Sequence, residues 1–207
     1  MLDLLEPVVK PYPLDDLLID LVKKDGIQHY YCSPYTQKAI VAGRGGNLSK
    51  EIKLDFAIRD LIPVYRRKGG GCSVFLDPGN LIISAAIPVK GYSGIQTIFN
   101  KCTDWLIKGL IKTGLKDIYR DGISDIVLDN QKIGGSCFYR SKGFAYFSAT
   151  ILVSPDLDLM EKYLSTPPRA PVYRQGRSHR KFVTMVTRHL DGVSIKDFSS
   201  QLKKNLC

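Results

Sequence analysis

The sequence predicts an α+β fold, a mixed or antiparallel β-sheet flanked by helices, because strand hairpins and amphipathic helices are interspersed along it. The clearest hairpin is Ser124 to Cys137, where an apolar run meets an Asp129-Asn130 turn, a short second strand and a glycine pair. The clearest helix is Gly94 to Thr113, in which Ile95, Phe99, Cys102, Leu106 and Leu110 recur at helical spacing and face the core. On that stripe Cys102 is a packing residue.

The remaining elements follow in order. Asp15 to Lys24 has the pattern of an amphipathic first helix, and Ala39 to Gly43 that of a buried strand ending at a glycine. Ile62-Pro63-Val64-Tyr65 is a short strand that feeds a glycine-rich loop. Cys72 to Leu76 and Leu81 to Ile87 are expected to form a hairpin around Asp77-Pro78-Gly79-Asn80, whose proline and glycine suit a tight turn. Phe144 to Val153 reads as a strand and Asp156 to Leu164 as a helix. Ser165 to Pro171 breaks periodicity and is expected to be a Pro-rich surface linker. Ser194 with Asp197 three residues on forms a capping pair that opens a last helix to about Leu206.

A chain of 207 residues with 44% hydrophobic residues can bury a full core as one globular unit. It has no apolar run of roughly 20 residues, the length that spans a bilayer. Its start lacks the basic and apolar regions of a secretory signal, so a soluble cytoplasmic protein is expected. Five cysteines without a CxxC pair or metal-ligand spacing point to reduced thiols and to no protein-held metal. His29, His179 and His189 occur singly and read as surface or structural residues.

Thirty basic against twenty acidic residues give a net charge of +10. Much of the excess lies in Arg169, Arg174, Arg177, Arg180, Lys181 and Arg188. A positive face attracts an anionic partner, though any charge run can be a solvated face. The chain has no base-stacking platform, helix-turn-helix or zinc-finger spacing, which argues against nucleic acid.

Two segments carry chemistry. Arg66 to Asp77 joins two arginines to three glycines and runs into a strand; glycines let backbone amides approach an anion, and the cations favour a negative ligand. Lys132, on the second hairpin strand, can hold a carboxylate or phosphate as a point charge and stabilise charge that develops in acyl transfer.

Together these segments resemble the lipoate-protein ligase family, within the wider group of biotin and lipoate ligases and octanoyltransferases. Arg66 to Asp77 aligns without gaps on the family's Arg-Arg-x-Ser-Gly-Gly-Gly-Ala-Val-Phe-His-Asp, and Lys132 to Ser136 on its Lys-Ile-Ser-Gly-Asn/Ser. Ile40 to Asn47 and Glu51 are similar to its Val-x-Gly-Arg-x-Gln-Asn strand and following Glu, so the likeness covers roughly Pro34 to Leu164. The sequence departs at Gly69, Cys72 and Leu76, where the family has serine, the third glycine and histidine. It departs again at Ser148 to Leu152, which stands where His-Gly-Thr-Leu-Leu often follows the lysine hairpin.

The resemblance implies the biotin and lipoate ligase fold and a single catalytic domain over 1–207, with a core of about 34–164, the linker 165–171 and a basic segment 172–207. It implies an enzyme that activates lipoate or octanoate with ATP, its Mg²⁺ carried on the phosphates, and passes the acyl group from an acyl-adenylate to a lysine of a lipoyl domain. Lys132 would be the catalytic residue. Arg66, Arg67, Gly70, Gly71, Cys72, Ser73, Val74 and Phe75, with Lys132, Gly134, Gly135 and Ser136, would bind nucleotide and substrate. The expected partner is an acidic lipoyl-carrier domain, together with a separate accessory subunit, since typical ligases of the family carry an extra C-terminal domain and this sequence ends at Cys207. Neither nucleic acid nor membrane is an expected partner.

Two other readings stay open. One is an ATP-independent octanoyl or lipoyl transferase using a thioester on Cys72 or Cys137, although the cysteine positions of the octanoyltransferases fall here on Ser165 to Pro171 and Tyr119 to Gly122, which hold none. The other is a non-catalytic lipoyl-binding homologue. Biotin ligation fits less well, because the Gly-Arg-Gly-Arg-x-Gly-Arg loop is missing.

Overall fold

A computed structural model describes residues 7–91, 94–167 and 169–206. Strand β1 (Val9–Pro11) leads into helix α1 (Pro13–Asp25), then β2 (His29–Pro34) and β3 (Ala39–Ala42). Two short helices, α2 (Leu48–Glu51) and α3 (Leu54–Arg59), precede β4 (Val64–Arg66), β5 (Val74–Leu76) and β6 (Asn80–Pro88). Helix α4 (Ile95–Ile111) is followed by β7 (Tyr119–Asp121), β8 (Asp125–Leu128), β9 (Gln131–Ser141), β10 (Phe144–Leu152) and α5 (Leu157–Tyr163). Beyond these lie α6 (His179–Phe182), 3-10 turns at Val172–Arg174 and Val186–Arg188, and α7 (Ile195–Leu206).

The fold is α+β, and its strands divide between two sheets. A four-stranded mixed sheet runs β1-β4-β3-β5, and a six-stranded sheet runs β2-β6-β10-β9-β8-β7. In the larger sheet every pairing is antiparallel. Side-chain alternation sets its two faces. Leu81, Ile83, Phe147, Ala149 and Ile151 pack with Phe99, Cys102, Leu106 and Leu110 of α4 and with Phe198 and Leu202 of α7. Ala86, Phe144 and Tyr146 turn the other way, against Leu18, Ile19 and Val22 of α1.

The α4 stripe holds for Phe99, Cys102, Leu106 and Leu110, and Cys102 is packed in the core as expected. Ile95 does not join it. Ile95 is 52% exposed, because the helix meets the sheet only from Ile98 and from Phe99, whose ring sits 5.8 Å from that of Phe138. At the helix's other end α7 approaches so closely that a Cβ on Gly109 would lie 2.6 Å from a Leu206 methyl. The α7 cap is the one expected, with Asp197 N donating to Ser194 Oγ at 3.1 Å and Ser194 Oγ to Asp197 Oδ2 at 2.6 Å.

The hairpin expected over Cys72 to Ile87 does not form. Its turn closes, with Asn80 N donating to Asp77 O at 3.0 Å, but β5 pairs with β3 and β6 with β2 and β10. Different cores claim the two strands: Phe75 packs with Met160 and Tyr163, and Ile83 with α4. Asp77 anchors the branch point by accepting from Gly79 N at 2.7 Å and from Asp156 N, at the start of α5, at 2.7 Å. The β8-β9 hairpin does form, and its second strand is long rather than short, continuing through the glycine pair to Ser141. Among the described residues no helix is long and apolar enough to cross a membrane.

Candidate active site

The glycine-rich loop runs from the end of β4 to the start of β5, and charged side chains from elsewhere fix its shape. Arg67 N donates to Ala42 O at 3.0 Å, and Arg44 N to Gly69 O at 2.9 Å, so the loop begins as a continuation of the β3-β4 pairing. The turn after β3 presses directly on it: a Cβ on Gly43 would stand 1.9 Å from Gly71 O. Arg66 braces the turn after β3. Its Nη1 donates to the carbonyls of Gly43 at 2.8 Å and of Arg44 and Gly46, each at 3.2 Å.

Arg67 folds into its own loop, with Nη1 donating to Val41 O at 2.9 Å and Nη2 to Gly70 O at 2.7 Å and Cys72 O at 2.9 Å. A planar fork suits this work, since it spans several carbonyls at once. Two buried carboxylates pin the loop's ends. Asp15 of α1 accepts from Lys68 N at 2.5 Å. Glu51 accepts from Ser73 N at 2.6 Å and Ser73 Oγ at 2.7 Å. Among the described residues the amides of Gly70, Gly71 and Cys72 donate no hydrogen bond, and Gly70 and Gly71 are exposed, Gly70 with open space where its Cβ would be. The Gly69 amide likewise donates none, but Gly69 is buried against Cys137. Val74 and Phe75 enter β5, with Phe75 buried in the core.

The hairpin wall is built by backbone chemistry. Asp129 and Asn130 have φ of 50° and 56°, the left-handed pair that a two-residue turn needs and that Asp and Asn tolerate. A bulge between Ile126 and Val127 lets Ile133 bury while Lys132 emerges beside it. The lysine side chain then lies over Gly135, where a Cβ would be 3.1 Å from Nζ, and Nζ reaches Asp125 Oδ1 at 2.6 Å. Asp125 is buried, and its other oxygen accepts from Tyr173 OH at 2.9 Å. Gly134 is required by packing: its Cβ would meet Thr150 O and an Ile151 methyl, both at 2.7 Å. Ser136 Oγ donates to Ser124 O at 3.1 Å.

The two walls touch. A Cβ on Gly69 would be 2.6 Å from Cys137 Sγ, so the loop can rest on β9 only with glycine there. Cys72 lies between the walls, within the fields of Glu51, Lys132, Arg67 and Asp125. Burial and then Glu51 push its thiol up in pKa, against the opposite pull of Lys132 and Arg67. Burial also pushes up the Cys137 thiol. A thiol held above its ordinary pKa is a poor nucleophile, because the thiolate is the reactive form.

Residues 173–184 make a third wall that the sequence does not announce. Thr184 N donates to Lys132 O at 2.9 Å, and Gln131 Nε2 to Lys181 O at 3.1 Å. Of the six basic residues singled out between 169 and 188, Arg169, Arg180, Lys181 and Arg188 are exposed, Arg177 is half-buried and Arg174 is buried. His179 is also buried, its Nε2 3.2 Å from Ser165 O, with a pKa lowered by burial. Leu76 packs with Tyr12, Val41 and Ile82, and Ser148 Oγ lies 2.9 Å from Ser84 Oγ. Asp125 and Tyr173, which steady Lys132, are not singled out by the sequence; their only signal is proximity in space.

The lipoyl protein ligase A/B catalytic domain model matches residues 10–207. A lipoate–protein ligase of Streptococcus pyogenes is 29% identical over 90% of this chain and 53% of its own length. A probable lipoate-protein ligase A of Mycoplasma pneumoniae is 28% identical over 90% of the chain and 54% of its own. The chain thus spans about half the length of the curated relatives it matches. Among solved structures, a lipoate-protein ligase A bound with ATP superposes with a TM-score of 0.78 at 22% identity, covering 97% of this chain and 84% of that one. A bi-partite lipoate protein ligase, solved with its E2 lipoyl domain from Thermoplasma acidophilum, gives a TM-score of 0.76 at 22% identity, covering 96% and 80%. These likenesses establish the shared fold.

Proposed function

The chain belongs to the lipoyl protein ligase A/B catalytic-domain family, and from that premise we propose that it attaches lipoate or octanoate to a lysine of a lipoyl domain through an acyl-adenylate. The acid's carboxylate would attack the α-phosphorus of ATP and release pyrophosphate; the carrier's lysine amine would then attack the acyl carbon and release AMP. An acyl-phosphate anhydride is already reactive, so the site must mainly position it and stabilise developing charge.

The observation that carries this reading is that the loop whose Gly70, Gly71 and Cys72 amides donate no hydrogen bond among the described residues rests on β9, the strand that carries Lys132, through the contact of Gly69 with Cys137. Free amides and a fixed cation suit a phosphate and an acyl carbonyl oxygen. Asp125 holds Lys132 in place, and Arg66 and Arg67 serve by shaping the loop that presents the amides. Among the described residues no group of three His, Cys, Asp or Glu gathers as a metal cage. Mg²⁺ would be carried on the ATP phosphates, where it would neutralise charge. The exposed cations Arg169, Arg180, Lys181 and Arg188 suit an acidic lipoyl domain, and the bi-partite ligase among the solved structures supports a separate accessory subunit as a further partner.

The test is mass spectrometry of a lipoyl domain incubated with this protein and lipoate, with and without ATP and Mg²⁺. The expected product is a lipoylated domain only when ATP is present. Modification by an acyl-carrier donor without ATP would replace this reading with the thioester transferase; no modification under any condition would favour a non-catalytic homologue.

A further inference from the structure

Among the described residues the two most exposed large hydrophobic side chains are Val172, at 96%, and Ile123, at 89%. Ile123 stands at the tip of the β7-β8 hairpin, and Val172 opens the 3-10 turn that follows the Pro-rich segment. Two contacts hold these distant segments side by side. A Cβ on Gly122 would lie 3.5 Å from the Pro171 Cβ, and Tyr173 OH donates to Asp125 Oδ2 at 2.9 Å. Ile123 and Val172 fall between those contacts on their respective segments, so both exposed side chains belong to one face.

A single exposed aliphatic residue needs no explanation, but two gathered on adjoining loops mark a surface that a partner covers. Its place in the molecule says which partner. Asp125, two residues after Ile123, holds Lys132 Nζ at 2.6 Å, and Tyr173, the residue after Val172, holds Asp125. The face thus borders the site's cation through one hydrogen-bonded chain. An acceptor lysine reaches the acyl carbon only on its own four-carbon stem, so the domain that carries it must rest on the surface beside Lys132. Charge agrees with that occupant. Arg120 and Arg169 are exposed on the same two segments, while Asp121 turns its carboxylate to Gly122 N. An apolar centre with arginines near it has the composition of a protein-binding surface, and the cations favour an acidic partner.

We infer that the Ile123 and Val172 face is the docking surface for the acidic carrier domain whose lysine enters the site. The inference rests on the acyl-transfer reading of the site and adds to it the surface that selects the acceptor. It gives the β7-β8 tip and the start of the third wall, neither of which belongs to a motif, the task of recognition rather than chemistry.

The experiment follows acyl transfer from lipoyl-adenylate on the full chain, with either an acidic apo lipoyl domain or Nα-acetyl-lysine amide as acceptor. Wild type is compared with an Ile123→Glu, Val172→Glu variant. The small amine needs no docking, so the variant should raise KM for the domain about tenfold or more while kcat and transfer to the small amine stay unchanged. An unchanged KM for the domain overturns the inference. Equal loss with both acceptors also overturns it, because the effect would then run through Asp125 to Lys132. So does a wild type that sediments as a dimer beside a monomeric variant, since the face would belong to a second copy. If the variant does not fold, methyl spectra of the wild type decide: the Ile123 and Val172 signals should shift when the apo lipoyl domain is added, and signals indifferent to it overturn the inference. Wild-type transfer to the small amine but not to the domain overturns the docking face and leaves the acyl-transfer reading standing. Transfer to neither acceptor removes that reading, and the inference falls with it.

Discussion

The glycine-loop wall and the lysine-hairpin wall meet where Gly69 rests on Cys137, and they are held by opposite means. The loop has no ladder of its own. Arg67 ties its carbonyls together, while Glu51 and Asp15 grip Ser73 and Lys68. The hairpin is held by strand pairing and a two-residue left-handed turn, and it carries Lys132 as a free-standing head steadied by one carboxylate. The difference teaches that a cation's place in a motif does not tell its use. The arginines of the loop spend their donors on backbone, whereas Lys132 keeps its ammonium partly open, at 29% exposure.

If that contrast is correct, Lys132→Ala should have the largest effect. Removing a charge-stabilising donor costs at least ~2.7 kcal/mol of barrier, roughly a hundredfold in rate. Lipoylation rates should fall by that factor while circular dichroism stays native; activity within about threefold of wild type would return Lys132 to the solvated surface.

The loop wall should instead be sensitive to its backbone fit. Gly43→Ala puts a methyl 1.9 Å from Gly71 O, whereas Gly70→Ala meets nothing within 4 Å. Overpacking costs about 1–3 kcal/mol, so denaturant titration should find Gly43→Ala destabilised by that order and Gly70→Ala close to wild type. Similar stabilities for the two would show that the loop is not seated on the β3 turn.

Between the walls the thiols should be quiet. With Cys72 and Cys137 both raised in pKa by burial, less thiolate is present at pH 8 than in a free cysteine. Alkylation at that pH should be slower than for a model thiol, and a Cys72→Ser, Cys137→Ser variant should keep ATP-dependent turnover within about threefold.

The smallest effect concerns the third wall. Burial lowers the pKa of His179 below its ordinary 6.5, so the unfolded chain binds the proton more readily. Stability is therefore full above 6.5 and declines as pH falls through that value towards the folded pKa. Melting temperatures from pH 8 to 5 should show that decline in wild type and a flatter profile in His179→Asn.

Much was legible without coordinates wherever local chemistry decides. The Asp129-Asn130 turn, the Ala39 to Ala42 strand, the α4 stripe past Ile95 and the Ser194 cap all follow from spacing and turn residues, and the Arg66 to Asp77 and Lys132 to Ser136 patterns carried the family. The apparent hairpin at Asp77 to Asn80 misled because a turn fixes only where the chain reverses; which strand each arm joins depends on which core takes Phe75 and which takes Ile83.

The sequence by itself determined the fold class and the family, and it pointed to the two motif segments. Only the tertiary structure decided that Glu51 grips Ser73 from 22 residues away, that Tyr173 reaches Asp125 across 48, and that Arg174 is buried with its Nη2 unbonded. The physical reason is range. Turns, caps and amphipathic faces are set by neighbours within a few positions, so their periods are written in the chain, whereas a charge's partner, burial and use depend on which distant segments packing brings beside it.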